Sequence, residues 1–107
     1  MIENFGTVSF HLQEERAERV YMIETCIGWG ETMLEVHDHK NEHITTILTT
    51  TGIVVIKNSY TEKIITAYVP SPSHLISIFM EAGKTSVPNE FFTTTRRAYQ
   101  ILNELGL

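Results

Sequence analysis

Residues 44–69, ITTILTTTGIVVIKNSYTEKIITAYV, decide the fold. Three runs rich in Ile, Val and Thr, side chains that suit a pleated surface, are separated by Thr51-Gly52 and by the polar stretch 58–62. That is the spacing of consecutive antiparallel strands joined by tight turns, and it predicts strands over 44–50, 53–57 and 63–69. Upstream, Leu34 and Val36 alternate with Met33, Glu35 and His37, a period of two that predicts a first strand over 32–38. The turn Lys40-Asn41-Glu42 joins it to the second, so the centre of the chain reads as a four-stranded antiparallel meander.

Helices flank this sheet. Leu12, Val20, Ile23 and Ile27 fall on one helical stripe after Ser9, a residue suited to an N-cap, and Gly28-Trp29-Gly30 stops the helix. Its outer face carries Glu14, Glu15, Glu18 and Arg19. After the sheet, Pro70 and Pro72 end the last strand, Ser73 is placed to cap a helix running to Ala82, and Leu75, Ile76, Phe79 and Met80 are expected to face inward. Pro88-Asn89 opens a last helix with Phe91, Ala98, Leu102 and Leu105 on its stripe and Ile101 beside it. Trp29, Phe91 and Phe92 read as core. Strands grouped between helices, without βα alternation, define an α+β fold: an N-terminal helix, a four-stranded antiparallel meander and two C-terminal helices packed on the sheet.

The 107 residues, 42% of them hydrophobic, suit a single domain spanning 1–107. Thirteen acids against eight bases give a formal charge of -5, which disfavours the strongly basic class of nucleic-acid binders. The charge is uneven: residues 1–42 hold nine acids and three bases, residues 43–107 four acids and five bases. The one cysteine, Cys26, cannot form an internal disulfide and is expected to be a small buried hydrophobe. With no apolar leader at the N-terminus, a reduced cytoplasmic setting is expected. The longest apolar runs, such as 53–56, are far below the roughly 20 residues that span a bilayer, so no membrane partner is expected.

Two groups of side chains carry chemistry. His37 and His39 point the same way on an extended strand, and a short turn brings His43 opposite His39, so three imidazoles converge with Glu35 on the same strand face. That set offers three or four ligands of the kind zinc takes; the bland reading is a solvated hairpin tip. In the second group, Arg16 falls inside the apolar stripe of the first helix and requires an anion or a carboxylate such as Glu35. Thr66 and Tyr68 share one face of the last strand, with Ile65, Ala67 and Val69 on the other. An arginine beside polar groups on a strand is a way to build a phosphate site.

FHLQEERAERV, IETCIGWG and TGIVVIKNSYTEKIITAYVPS together resemble small phage- and mobile-element-encoded proteins with a His-x-x-x-x-Arg helix, a β-meander and a closing strand of the IxTxY kind before proline. Over residues 9–71 the chain is similar to the barnase, EndoU, colicin and RelE superfamily of RNA-cleaving toxins. The resemblance implies metal-independent transesterification at an RNA 2′-hydroxyl, with no cofactor, a His or Glu as general acid or base and an Arg or Lys stabilising the phosphorane. His11 is then the acid or base, Arg16 or Arg19 the phosphate clamp, and Thr66 with Tyr68 the positioning groups. An ideal helix sets His11 and Arg16 about 140° apart, so both line one groove only if His11 precedes the regular helix.

Two other classes fit the same residues. Glu14, Glu15 and Glu18, with Glu24 near them, present a row of negative charge that a larger basic protein would read as it reads phosphates, making the chain a non-enzymatic inhibitor like the nucleic-acid mimics and anti-CRISPR proteins. A zinc-binding protein built on His37, His39 and His43 is the third. The open edges of a four-stranded meander also suit a homodimer.

Overall fold

A computed structural model describes residues 14–37 and 43–106, with only the backbone described for 14–17. Ser9, His11, Leu12, Asp38 and His39 lie outside the described residues, as do the side chains of Glu14, Glu15 and Arg16. The order is α1 (Glu14–Cys26), β1 (Thr32–His37), β2 (Ile44–Thr49), β3 (Val54–Asn58), β4 (Ile64–Tyr68), α2 (Pro72–Glu81) and α3 (Asn89–Glu104). The strands form one antiparallel sheet in sequence order, β1-β2-β3-β4. This is the α+β arrangement expected from the strand spacing and its flanking helical patterns. Among the described residues no helix is long and apolar enough to cross a membrane.

The register explains how one sheet supports two cores. Ile47, Val55 and Ala67 stand in one row across β2, β3 and β4. They pack with Val20 and Ile23 of α1, Trp29 of the connecting loop, and Ala98 and Leu102 of α3. Leu34, Leu48, Val54 and Tyr68 form the neighbouring row and point the opposite way. There Leu48 and Val54 meet Leu75, Ile78 and Phe79 of α2 and Phe91 of α3, and Leu34 and Tyr68 pack at the margin. α3 therefore starts in one core and ends in the other, crossing the end of the sheet at the β2–β3 turn.

Two glycines set those crossings. Gly28 ends α1 with φ at 83°, a conformation open to glycine at little cost, and its N–H returns to the Ile23 carbonyl at 2.8 Å. Gly52, in the β2–β3 turn, has φ at 85° and sits against α3: a Cβ there would lie 3.0 Å from Thr95 Cα and 3.1 Å from Thr95 N. The turn is fixed by the Gly52 N–H on Thr49 O at 3.0 Å and the Ile53 N–H on Thr49 Oγ1 at 3.2 Å. Thr51 Oγ1 donates to Gly28 O at 2.8 Å and so ties this turn to the loop that carries Trp29.

Several expectations are corrected. In α2 the N-cap is Ser71, whose Oγ accepts the His74 N–H at 3.2 Å, not Ser73. Ile78 replaces Ile76 and Met80 on the inward face; Ile76 is 44% and Met80 66% exposed. Nearly every residue from Leu75 to Met80 is apolar, so the helical wheel admits two stripes, and contact with Leu48, Val54 and Phe91 selects Leu75, Ile78 and Phe79. In α3, Thr95 takes a buried place and Leu105, just past the helix end, is exposed. Cys26 is also exposed, because Ile27 beside it turns inward at the close of α1.

Candidate functional site

At the end of β4 the chain leaves the sheet through Tyr68, Val69 and Pro70, then enters α2 at the Ser71 cap and Pro72. Proline at the first helical position needs no N–H partner and fixes the corner tightly. This corner faces α3, whose residues Phe92, Arg96, Tyr99 and Asn103 recur at helical spacing. Between corner and helix lies a cleft of about 520 Å³, with Val69, Pro70, Pro72, Phe92, Arg96 and Tyr99 in its walls. A recess of about 180 Å³ continues it toward α1, bounded by Arg19, Tyr68, Tyr99 and Asn103. Val69 and Tyr99 belong to both, so the two form one groove with an arginine near each end.

Charge distinguishes this groove. No Asp or Glu lines either part among the described residues, although the chain has thirteen acids. Two guanidiniums with no carboxylate among the described lining residues suit an anionic ligand, and planar Arg donors match phosphate oxygens.

Tyr68 connects the groove to a second titratable group. Its hydroxyl lies 2.8 Å from His74 Nε2, and the two rings stack with centroids 5.6 Å apart. Burial pushes the phenol pKa above its ordinary value of 10.0, because the charged phenolate is poorly solvated there. Tyr68 is thus a neutral hydroxyl at physiological pH, able to donate one hydrogen bond and accept another. It donates where His74 Nε2 is unprotonated and accepts where Nε2 carries the proton.

The raised phenol pKa has a stability consequence. The folded state holds the Tyr68 proton more tightly than the unfolded chain, so its contribution is fully present below about pH 10 and is lost as pH rises through the folded value. Urea midpoints measured from about pH 9 to 11.5 are expected to fall more steeply for the wild type than for Tyr68→Phe. Parallel curves would show that the phenol is not buried.

The site residues expected from sequence are only partly brought together. Arg19 and Tyr68 both line the recess, with Tyr68 on the sheet face packed by α2 and its hydroxyl on His74. Thr66 shares a sheet face with Tyr68 but pairs with Ile56 further along β4 and lines neither part of the groove. His11 lies outside the described residues, as does the side chain of Arg16. His74, Tyr99 and Asn103 are additions to the expected set. Their signal was weak, since His74 reaches Tyr68 only because the Pro70-Ser71-Pro72 corner folds α2 back over the strand end.

Of the expected histidine cluster, His37 and His43 are described. His39 lies outside the described residues, and among those described no three His, Cys, Asp or Glu converge on a metal position. His37 Nδ1 lies 3.2 Å from Thr45 Oγ1, which is 2.6 Å from Ser59 Oγ, while Nε2 is 3.6 Å from Glu35 Oε1. His43 stands edge-on to Tyr60, with ring centroids 4.8 Å apart. Nearby, the largely buried Lys57 pairs with Glu62, a non-glycine residue held at φ 62°. On α1, Glu18 is exposed and Glu24 half-exposed; six helical residues set them about 120° apart, so these two do not share a row.

No family model, curated protein or solved structure matches the chain.

Proposed function

We propose that the protein binds RNA in the groove between β4 and α3 and cleaves it without a metal, by transesterification at the recess that holds Arg19 and Tyr68. The observation that carries this reading is the pairing of a two-arginine groove, with no carboxylate among its described lining residues, with a neutral phenol backed by an imidazole. In the reaction the 2′-oxygen attacks the adjacent phosphorus, forming a P–O bond as the bond to the 5′-oxygen breaks. Tyr68 accepts the 2′-hydroxyl proton while passing its own to an unprotonated Nε2 of His74, and the departing 5′-oxygen takes a proton from water. A 2′,3′-cyclic phosphate and a free 5′-hydroxyl result. Arg19 offsets the charge that grows on the phosphorane oxygens. Tyr68 acts as a relay rather than a nucleophile, since burial disfavours its anion.

The purified protein is expected to cut an unstructured RNA in excess EDTA and to leave 2′,3′-cyclic phosphate ends. Tyr68→Phe and His74→Ala are each expected to lower the rate at least about tenfold, within the range of general acid–base contributions. Arg19→Ala should do the same while leaving the melting temperature within a few degrees. Full activity in folded Tyr68→Phe removes the relay. Absence of cleavage by the wild type removes the enzymatic reading.

A further inference from the structure

We propose that the cleft next to the recess is a seat for one unpaired nucleobase, stacked on Tyr99 with Arg96 on the phosphate beside it, so that the substrate is single-stranded RNA read with little preference for base identity. This rests on the RNA reading of the same groove. Tyr99 is 62% exposed although it forms the wall shared by cleft and recess. It offers an aromatic face between the position assigned to the scissile phosphate and the interior of the cleft. The remaining surface is apolar and flat-sided, made by Val69, Pro70, Pro72 and Phe92, and about 520 Å³ falls within the range of small-ligand pockets. Arg96 lies three residues before Tyr99 and so on the same helix face.

The absence of base preference follows from the hydroxyls. Three residues with side-chain hydroxyls line the cleft, Ser71, Thr95 and Tyr99. Ser71 Oγ accepts the His74 N–H and lies 3.3 Å from Ser73 Oγ, as the α2 cap requires. Thr95 Oγ1 donates to the Phe92 carbonyl at 3.0 Å. Ser71 and Thr95 are engaged within the protein, which leaves Tyr99, with its ring and its hydroxyl, and the Arg96 charge as the main recognition elements. Stacking on an aromatic ring accepts any base, because every base has a π face. A paired base, already stacked within a duplex, cannot enter the seat.

The test uses a fluorescein-labelled octanucleotide with 2′-O-methyl riboses, which blocks cleavage, and reads binding by anisotropy. The single strand is expected to bind at least tenfold more tightly than the same strand in a duplex, and U, A and C octamers should agree within about threefold. Tyr99→Ala is expected to weaken binding at least tenfold and Tyr99→Phe by less than about twofold. Arg96→Ala should reduce the slope of log K against log salt by about 0.7, the value for one phosphate contact on a single strand. Tight wild-type binding that Tyr99→Ala leaves unchanged overturns the seat and leaves the RNA reading standing. Equal affinity for the duplex overturns the unpaired base. If the wild type neither binds nor cleaves RNA but the cleft captures an acidic proline-rich peptide, both proposals fall.

Discussion

Gly52→Ala is expected to destabilise the protein by about 3 kcal/mol and to lower its melting temperature by roughly 10–20 °C. Two effects add at this position. A φ of 85° is strained for any residue with a side chain, and the new methyl carbon would stand 3.0 and 3.1 Å from backbone atoms of Thr95. Backbone cannot swing aside as a long side chain can, so α3 must shift, and its shift disturbs both cores. Gly83→Ala provides the control, since its φ is also positive, at 81°, and nothing lies within 4 Å of the added carbon. That variant carries the conformational strain alone, on the order of 1–2 kcal/mol. The comparison is made by thermal melts followed by circular dichroism. Equal losses at the two glycines would mean that α3 does not cross as close to the turn as described.

Trp29→Ala is expected to cost about 3–5 kcal/mol, the range for removing a large aromatic from a packed core. Trp29 is fully buried in the loop between α1 and β1 and packs in the cluster shared by α1, the sheet and α3. Against a typical total of about 5–15 kcal/mol for a domain, the loss removes at least about a fifth of the stability, and the urea midpoint should fall by about that fraction or more. Trp29→Phe fills more of the same volume and should retain a larger share of the stability. If Trp29→Ala shifts the midpoint by no more than an exposed substitution such as Gln100→Ala, the loop is not part of the core.

How much was legible before the structure depends on the kind of pattern involved. The sheet was legible because Ile, Val and Thr runs broken by Gly52 and by Asn58–Glu62 leave few arrangements other than a meander. Burial of Trp29 and Phe91 followed from residue type. The inward stripe of α2 was not, since Leu75, Ile76, Ile78, Phe79 and Met80 are all apolar and only tertiary contact ranks them. Exposure of Cys26 was missed for a related reason: at a helix end, one neighbour takes the inward place and a single residue carries no period. Within the groove, Arg19 was selected through the resemblance, as an alternative to Arg16, and Tyr68 because it shares a strand face with Thr66. His74 reaches Tyr68 through the angle of the corner, and Tyr99 and Arg96 reach the groove through the path of α3, which no local spacing encodes.

That path has a kinetic meaning. A helix that has residues of its first turn in one hydrophobic cluster and of its later turns in another is held at two places along its length. Backbone amides in the middle of α3 should therefore exchange with solvent deuterium only through global unfolding. The wall of the groove would be rigid on the timescale of ligand arrival, so an entering strand would meet a surface already in place and would itself have to supply the motion needed to fit.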